Sequence, residues 1–367
     1  MLLILFCFYI TTFLYFCIGT INFKKKDTFK FKIPGVSVIV AIRNGGNSTC
    51  DIIHYLRNQS YRNKIEFILV DDESTDNTKK NIQNIVSSDS RFVYTSSRDG
   101  NPLLTQKQKT LDAGIKKASF NHLLFTDVDC VIPNTWVSSM EKYYNSGYDY
   151  LVGTSIVKKS NNFNFVSSFQ RIDFLFLMII CRASSYIGSP WASTGQNQGF
   201  TKDLYISSGG FLKVNHFIGD DTPFLQSCKN YGAKLCFVDD VNAYINSRNE
   251  VDLKSFLSQR VRWVSDANKL WKINIYFFGI LFLTFLFYLS IPYTLLYDLR
   301  SYKLISLLVA LKISVEYLLL YLGGKKLLIS NFFFDFLIWQ IFHIPYICIV
   351  GLLSYFPQFF TWKERRL

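Results

Sequence analysis

The sequence predicts an α/β fold in which a doubly wound parallel sheet is preceded and followed by transmembrane helices. The first observation is that short β-branched runs alternate with helical segments between residues 35 and 130, a spacing typical of parallel sheets with crossover helices. The second is that acidic residues directly follow two of these strands, at Asp71-Asp72 and at Asp127-Val128-Asp129. The third is that long apolar segments, sufficient to cross a bilayer, occupy both ends of the chain.

The N-terminal segment, Leu2–Ile21, is apolar and almost uncharged, and Lys24, Lys25 and Lys26 follow it. A cleaved signal peptide would need a basic stretch before the apolar run and a small-residue cleavage site after it, and both are missing. We therefore predict that residues 1–22 form an uncleaved membrane anchor whose positive flank stays in the cytosol.

The predicted catalytic domain, residues 35–270, begins with Val36–Ile42, an unbroken β-branched run that indicates a strand buried on both faces. The following pattern predicts a helix at Asp51–Asn58, a strand at Ile65–Val70, a helix to about Val86, a strand at Arg91–Thr95, a helix at Gln106–Ala118 and a strand that ends at Asp127. Because parallel strands share a carboxyl end, the loops that follow them are expected to meet at one edge of the sheet.

The second half of this domain is predicted less fully. We expect a strand at Val152–Thr154, glycine-rich turns at Gly195–Phe200 and Ser208–Phe211 around a short helix, and a late strand at Ala233–Val238. The apolar stretch Phe163–Cys181 contains Gln170, Arg171 and Asp173, so it is too polar to span a membrane. Either it lies at the membrane surface or it is an ordinary core helix, and both alternatives stay open.

Residues 275–357 are predicted to form C-terminal transmembrane segments. Three apolar runs have spanning length: Ile275–Tyr297, Leu304–Leu322 and Phe332–Phe356. Three full spans from the cytosol would place the basic tail Lys363–Arg366 outside, against the positive-inside tendency. Either one segment is re-entrant or interfacial, or the charge rule fails here.

The composition narrows the class of partner. The formal net charge is +13, but the Lys and Arg residues are spread along the chain or lie beside apolar segments. No basic helix is interleaved with aromatic residues as in single-strand binders, so we predict no nucleic-acid partner. A negatively charged membrane surface and a nucleotide diphosphate are better explanations for the excess of positive charge. The eight Cys contain no C-x-x-C pair, which favours a reduced, cytosol-facing catalytic part over a disulfide framework.

The pair Asp127 and Asp129 is the candidate metal site. Because side chains alternate along a strand, residues two apart point to the same side, and both carboxylates are expected to face one ligand beyond the strand end. Two acids so close repel each other unless a cation lies between them and an anionic group. Mg²⁺ or Mn²⁺ held by these carboxylates and a substrate diphosphate meets that need. The alternative is a solvated turn that happens to contain two acids.

Taken together, these motifs resemble the family 2 glycosyltransferases, in particular the membrane-attached branch of ceramide glucosyltransferase, cellulose synthase and hyaluronan synthase. The resemblance covers about Val36 to Trp263. It rests on five motifs in order: Val36–Asn44, Val70–Asp76, the D-x-D at Asp127–Asp129, the acid pair Asp220-Asp221 and the Q-x-x-R-W pentad Gln259–Trp263. It implies a nucleotide-diphospho-sugar transferase (GT-A, Rossmann-like) fold.

The resemblance also implies roles for individual residues. Nucleotide binding is implied for Ala41, Arg43, Asp71, Asp72, Lys107 and Asp127; metal binding for Asp127 and Asp129; and catalysis for Asp220, Asp221, Gln259, Arg262 and Trp263. The family places its general base second in the acid pair, which is Asp221. The pair here is Asp-Asp rather than Glu-Asp, so Asp220 stays open as the base. Gln106 stands where a glycine often precedes the nucleotide lysine.

Simpler structural roles compete with some of these assignments. Ser74 and Asp76 are as well suited to cap the helix that follows as to contact a nucleotide. Lys107 is either a phosphate ligand or a solvated lysine on a helix face. Trp263 either lines the site for sugar or acceptor, or anchors the chain at the membrane interface.

The expected function is that of a membrane-bound, metal-dependent, inverting glycosyltransferase. It would move one sugar from a nucleotide-diphosphate donor, a UDP-sugar by expectation, to an acceptor hydroxyl on a lipid or a cell-envelope glycan. The expected location is a bacterial inner membrane with the catalytic domain in the cytoplasm. A processive polysaccharide synthase, a non-catalytic membrane scaffold and a nucleotidyltransferase are the alternatives, and the oligomeric state stays open.

Overall fold

The computed structural model describes residues 1–22, 31–159, 163–188, 190–362 and 365–366. The predicted positive flank, Lys24–Lys26, lies outside the described residues, as do Lys363 and Glu364 of the basic tail. The described residues group into two compact units. The sheet unit lies within residues 25–158 and 189–248, and the helical unit within residues 1–24, 159–188 and 249–367. The predicted domain of residues 35–270 therefore draws on both units.

The sheet unit contains the strands and shorter helices. Its strands are β1 (Gly35–Ile42), β2 (Lys64–Asp71), β3 (Phe92–Ser96), β4 (His122–Asp127), β5 (Tyr150–Gly153), β6 (Ser155–Val157), β7 (Gln198–Thr201), β8 (Leu235–Val238) and β9 (Ile245–Ser247). Its helices are α2 (Gly46–Arg57), α3 (Thr78–Ser88), α4 (Gln106–Lys117), α5 (Trp136–Asn145), α7 (Lys202–Ser207) and α8 (Thr222–Tyr231). All strands and helices predicted up to Asp127 are present, most with ends shifted by one or two residues.

The main sheet has the strand order β3-β2-β1-β4-β7-β5-β8, and β6 pairs with β9 in a second, two-stranded sheet. Strand β1 pairs in parallel with both β2 and β4, and its residues Val38, Ile39 and Val40 are fully buried. This two-sided burial explains why the strand is apolar apart from Ser37. The prediction of a parallel sheet is wrong at β7, which runs antiparallel to both β4 and β5. The sheet is therefore mixed.

Helix α2 begins at Gly46, five residues before the predicted start at Asp51. The first turn is polar and lacks the apolar period of a helix, so the hydrophobic pattern did not reveal it. Gly46 has a φ of +50°, and its N–H donates to Asp76 Oδ2 at 3.0 Å. A side chain from a distant loop thus binds a backbone donor at the start of this helix.

The helical unit contains α1 (Leu2–Ile21), α6 (Phe165–Ile187), α9 (Leu253–Ala267), α10 (Ile275–Tyr297), α11 (Tyr302–Lys326) and α12 (Phe333–Leu353). Among the described residues, α1, α10, α11 and α12 are long and apolar enough to cross a membrane. Each corresponds to a predicted spanning segment. The anchor and the first C-terminal segment have the predicted ends, whereas α11 extends beyond both predicted ends.

Helix α6 resolves the two interpretations of the stretch Phe163–Cys181. Its side chains are buried around most of its circumference, and it packs against α1, α11 and α12. Of the polar residues in this stretch, Gln170 and Arg171 are buried, and Arg171 pairs with Asp335 and donates to the carbonyl of Asn331 at 3.0 Å. The core-helix alternative therefore describes α6.

A buried carboxylate links the four apolar helices. Glu316 of α11 is fully buried and accepts hydrogen bonds from the hydroxyls of Tyr9 (α1) and Tyr288 (α10), the latter at 3.1 Å. It also accepts from Lys312 Nζ at 2.8 Å and from the Gln340 amide of α12. Because a buried charge is tolerated only when it is paired and hydrogen-bonded, this cluster favours one arrangement of the four helices.

We expect Glu316→Ala to lower the free energy of unfolding by about 3–5 kcal/mol, because Lys312 would remain buried without its counter-charge. Denaturant unfolding of the protein in detergent micelles measures this loss. The matched control is the double variant Lys312→Met/Glu316→Met, which removes both charges and should recover most of the stability. A double variant as unstable as the single one would contradict the role given to the ion pair.

Candidate active site

The loops after β1 and β2 are joined by a set of hydrogen bonds at the carboxyl edge of the sheet. Arg43 donates to the carbonyl of Asp72 at 2.8 Å. The backbone N–H of Asn44 donates to Ser74 Oγ at 3.0 Å, and the side-chain oxygen of Asn44 accepts from the N–H of Thr75 at 2.8 Å. These bonds fix two of the predicted nucleotide-binding loops in one conformation.

The predicted nucleotide ligands in these loops differ in burial. Asp71 is buried and accepts from the N–H of Ser74 at 3.2 Å, so its carboxylate supports the turn. Asp72 is half-buried beside it. Ala41 of β1 lies opposite Val70 on one side and opposite Asp127 on the other. The sheet register therefore brings the first strand, the second loop and the candidate metal site together, as the sequence predicted.

Asp127 and Asp129 lie where predicted, but a turn brings them there rather than strand alternation. Strand β4 ends at Asp127, residues 128 and 129 form a turn, and the N–H of Cys130 donates to the Asp127 carbonyl at 3.2 Å. Val128 is buried in the core, whereas both carboxylates are half-buried. Burial raises the pKa of the Cys130 thiol, and the charges of both carboxylates add to that shift. Both acids therefore lie near this thiol.

Lys107 connects the candidate metal site to the acid pair. Its Nζ lies 2.8 Å from Asp127 Oδ1 and 3.4 Å from Asp220 Oδ1, and only 18% of its side chain is exposed. Burial alone would lower the pKa of Lys107, but the charges of Asp127 and Asp220 outweigh it and raise the pKa. The alternative of a solvated lysine on a helix face is therefore wrong. This lysine is a charged group within the site.

The two residues of the acid pair have different environments. Asp220 is 4% exposed. Its burial raises its carboxyl pKa; Lys107 opposes the shift, and the charges of Asp221 and Asp127 add to it. Asp221 is half-buried and begins helix α8: its Oδ1 accepts from the N–H of Thr222 at 2.6 Å and its Oδ2 from the N–H of Gly195 at 3.0 Å. Asp221 therefore caps a helix and holds the loop before β7.

Gln108 is a residue that the sequence analysis missed. Its buried amide donates to the carbonyls of Val214, Phe217 and Gly219, at 3.3, 3.1 and 2.9 Å. These carbonyls belong to the segment that leads directly into Asp220. Gln108 thus positions the acid pair from the same helix that carries Lys107. A single glutamine next to the candidate lysine gave no signal of this role.

We expect Gln108→Leu to lower the free energy of unfolding by about 1–3 kcal/mol, because buried carbonyls would lose their donor. Thermal unfolding in detergent, followed by near-ultraviolet circular dichroism, measures the change. Gln83→Leu on the exposed face of α3 is the control, with an expected change within about 0.5 kcal/mol. Equal stability of the two variants would contradict the positioning role.

The glycine-rich turn before β7 forms the wall beside Lys107. A Cβ on Gly195 would lie 2.9 Å from Lys107 Nζ and 3.0 Å from Asp220 Oδ2, so a larger residue here would require these side chains to shift. The side-chain oxygen of Gln198 accepts a hydrogen bond from the Tyr150 hydroxyl at 2.7 Å, and its amide nitrogen lies 3.4 Å from Asp220 Oδ2. The predicted turn at Gly195–Phe200 is wrong from Gln198 onward, where the chain forms β7, and the sequence did not indicate that this segment would lie against Asp220.

The Q-x-x-R-W pentad lies on α9 in the helical unit, and the acids described above lie in the sheet unit. Gln259, Arg262 and Trp263 are half-buried. The buried member is Arg260, whose Nε lies 2.9 Å from Asp173 Oδ2 and whose guanidinium lies over the Trp263 ring at 4.2 Å. The sequence motif did not single out Arg260, since it occupies a variable position.

The donor set of the D-x-D turn fits a hard divalent ion. Asp127 and Asp129 offer carboxylate oxygens, the ligands that Mg²⁺ and Mn²⁺ prefer. Among the residues that the structure describes, no group of three or more His, Cys, Asp or Glu side chains could enclose a metal. Two carboxylates leave coordination positions for phosphate oxygens and water, which suits an ion shared with a substrate.

A comparison with known families indicates which proteins this part of the chain resembles. Residues 37–212 match the sequence model of glycosyl transferase family 2. This stretch resembles a glycosyl transferase family 2 domain. The match covers slightly less than half of the 367 residues and includes Asp71, Asp72, Lys107, Asp127 and Asp129. The acid pair and the pentad lie beyond it, so their roles stay predictions, as does the membrane-attached branch.

Two curated relatives resemble part of the chain. The GalNAc(5)-diNAcBac-PP-undecaprenol beta-1,3-glucosyltransferase of Campylobacter jejuni is 28% identical over 135 residues, which cover 35% of this chain and 41% of that protein. An uncharacterized glycosyltransferase of Haemophilus influenzae is 29% identical over 158 residues, which cover 40% of this chain and 58% of that protein. The chain thus spans about half the length of these relatives.

A solved structure confirms the fold. The mannosyltransferase PcManGT of Pyrobaculum calidifontis, solved with GDP-Man and Mn²⁺, has a TM-score of 0.61 at 15% identity. The superposition covers 96% of this chain and 99% of that one. The predicted nucleotide-diphospho-sugar transferase (GT-A) fold, with apolar helices at both ends, is confirmed.

Proposed function

We propose that this chain is a membrane-bound inverting glycosyltransferase. It moves a sugar from a nucleotide-diphosphate donor, a UDP-sugar by expectation, to an acceptor hydroxyl on a lipid or a cell-envelope glycan. The observation that supports this proposal most strongly is the group of Lys107, Asp127 and Asp220 in contact at the carboxyl edge of a family 2 domain. A non-catalytic scaffold would have no need to keep a buried lysine between two acids.

Donor binding is assigned to the joined loops after β1 and β2. Asp72 is half-buried at this edge and is proposed to accept hydrogen bonds from the nucleoside, while Arg43 holds the Asp72 backbone in place. Asp71 supports the turn by accepting a hydrogen bond from the N–H of Ser74. Lys107 supplies the positive charge for the diphosphate. A divalent ion on Asp127 and Asp129 would supply further positive charge to the leaving diphosphate.

Asp221 is the proposed general base. Asp220 is almost fully buried and paired with Lys107, whereas Asp221 is half-buried and therefore better placed to reach an acceptor. Backbone N–H groups of Thr222 and Gly195 fix the orientation of its carboxylate. In one displacement, Asp221 takes the acceptor hydroxyl proton, the oxygen bonds to the anomeric carbon, and the bond to the diphosphate breaks. That single step inverts the anomeric configuration.

The pentad residues are proposed to act on the same reaction. Arg262 would neutralise charge on the departing diphosphate, Trp263 would stack on the sugar or the acceptor, and Gln259 would help to orient it. The intact pentad keeps a processive polysaccharide synthase as the second candidate. The product distinguishes the two, because a synthase yields long chains and the proposed enzyme adds one sugar.

The test is a donor screen on purified protein in detergent with a bacterial lipid extract. Release of nucleoside diphosphate is measured for a panel of UDP- and GDP-sugars, with and without the extract. We expect one donor to be consumed only when Mn²⁺ or Mg²⁺ and the extract are both present. No release from any donor, by protein that binds nucleotide, would favour the scaffold alternative.

The lipid acceptor and the inner-membrane location rest on the four apolar helices and on the Campylobacter relative, whose name includes an undecaprenol diphosphate acceptor.

The proposed orientation places the sheet unit in the cytosol, where nucleotide sugars are made. Cys50 is exposed on the sheet unit, so a membrane-impermeant thiol reagent should label it only after the cytosolic face is opened. Cys50→Ser is the control, and Ser88→Cys in that background provides a second exposed reporter. Labelling from outside intact cells would reverse the orientation.

A further inference from the structure

The ammonium group of Lys107 pairs with a carboxylate that is also proposed to bind the divalent ion. Its Nζ donates to Asp127 Oδ1 at 2.8 Å, and Asp127 is a proposed metal ligand. The Lys107 Nζ also lies 3.4 Å from Asp220 Oδ1, and a Cβ at position 195 would lie 2.9 Å from it, so the Gly195 backbone is close to the ammonium. Two cations close to one carboxylate repel each other, so the ammonium and the metal compete.

We propose that Lys107 is an internal counter-ion of Asp127 that the donor diphosphate draws away, so that the nucleotide and the divalent ion bind cooperatively. The inference rests on the proposed function and adds the order in which the charges of the site are exchanged. Before the donor binds, Lys107 pairs with both Asp127 and Asp220 and offsets part of their negative charge. After it binds, Lys107 contacts the diphosphate and leaves Asp127 to the metal.

The chemistry of lysine permits this movement. A lysine ammonium is a point charge on a flexible stem, so it can move between neighbouring anions without a fixed bonding geometry. Asp220 stays buried beside it throughout and keeps the positive charge in the site. The negative charge of the diphosphate offsets the repulsion between the two cations, the ammonium and the metal ion, near Asp127.

This exchange has a thermodynamic consequence. In the free protein, the ion must displace an ammonium held by two carboxylates, whereas in the nucleotide complex it does not. The nucleotide therefore raises the affinity for the metal, and by linkage the metal raises the affinity for the nucleotide by the same factor. Coupling between binding sites usually amounts to about 5- to 150-fold.

The experiment measures Mn²⁺ binding to the purified full chain in detergent by electron paramagnetic resonance of free Mn²⁺. Titrations are run without nucleotide and with saturating UDP or GDP, whichever binds more tightly. We expect Lys107→Met to bind Mn²⁺ on the order of tenfold more tightly than the wild type in the absence of nucleotide. With nucleotide present, the two proteins should bind Mn²⁺ nearly equally. Asp127→Asn, which removes the ligand, identifies this site among any others that take up Mn²⁺.

Two further variants sharpen the test. Lys117→Met removes a positive charge from the exposed end of the same helix and should leave both titrations unchanged. In Asp220→Asn, Asp127 is the carboxylate that still pairs with Lys107, so this ion pair should strengthen. The affinity for Mn²⁺ without nucleotide should therefore fall, which is the opposite of the change expected for Lys107→Met. This variant also carries the test if Lys107→Met does not fold.

The outcomes separate this inference from the proposed function. An equal gain in Mn²⁺ affinity with and without nucleotide would show that Lys107 acts only through its overall charge, and would overturn the exchange. Weaker Mn²⁺ binding by nucleotide-free Lys107→Met would overturn it as well. Failure of the wild type to bind any nucleoside diphosphate would overturn the proposed function itself, and the inference with it.

Discussion

Replacing Asp221 by asparagine should lower the turnover number about a hundred- to ten-thousand-fold, the usual cost of losing a general base. The amide keeps nearly the same shape, but it is a very poor proton acceptor. The carboxylate matters in the transition state more than in donor binding, so donor affinity measured by calorimetry should change little. Because Asp221 also caps α8 and holds Gly195, the kinetics are compared on samples whose folding has been checked by circular dichroism.

Two further substitutions, at Asp72 and Asp220, help to distinguish loss of the base from loss of donor binding. Asp72→Asn should do the reverse and weaken nucleotide binding first. Asp220→Asn tests the other member of the acid pair, and because Asp220 contacts Lys107, its change is expected to alter donor affinity as well as turnover. If Asp221→Asn abolished donor binding and left turnover at saturation unchanged, the division of roles would be wrong. If only Asp220→Asn removed turnover, the base would move by one residue.

Removal of divalent ions should abolish transfer, and Mn²⁺ or Mg²⁺ should restore it. Asp129→Asn should lose at least about a hundredfold in rate while the protein stays folded, because a metal ion stabilises the developing charge by several kcal/mol. Asp129 is a better choice than Asp127 for this test, since Asp127 also pairs with Lys107. Transfer rates in buffers of defined free Mn²⁺ measure the effect.

The matched control is Asp51→Asn, which removes an exposed carboxylate from α2 of the same unit. Its rate and its dependence on Mn²⁺ should equal those of the wild type. Full activity of the wild type in excess chelator would overturn the metal assignment. Wild-type behaviour of Asp129→Asn would restrict the metal to Asp127 alone.

The part of the fold that the sequence predicted is the part governed by burial. Strands β1, β2 and β4 are covered on both faces over most of their length, so they contain largely apolar runs that end at polar loops. Parallel pairing then brings Ala41, Asp71 and Asp127 to one edge without further information. The four apolar helices were equally predictable, because length and hydropathy alone determine them.

The rest depends on contacts between distant segments. The direction of β7 follows from where the chain re-enters the sheet, which the pattern of Gln198–Thr201 does not encode. The contact between Lys107 and Asp220 joins residues more than a hundred positions apart, so no local spacing reveals it. The capping role of Asp221 did have a signal, since Asp221-Thr222-Pro223 is typical of a helix start with proline in its first turn.

The most direct test of the proposed function is transfer of a radiolabelled sugar from its nucleotide donor into the organic-extractable lipid fraction by the purified protein. We predict that the wild type makes one labelled product carrying a single added sugar, with the anomeric configuration opposite to that of the donor. The same product should be absent with Asp221→Asn and in chelator. Incorporation that is retained by Asp221→Asn, or a product that keeps the donor's configuration, would contradict a single displacement with Asp221 as the base.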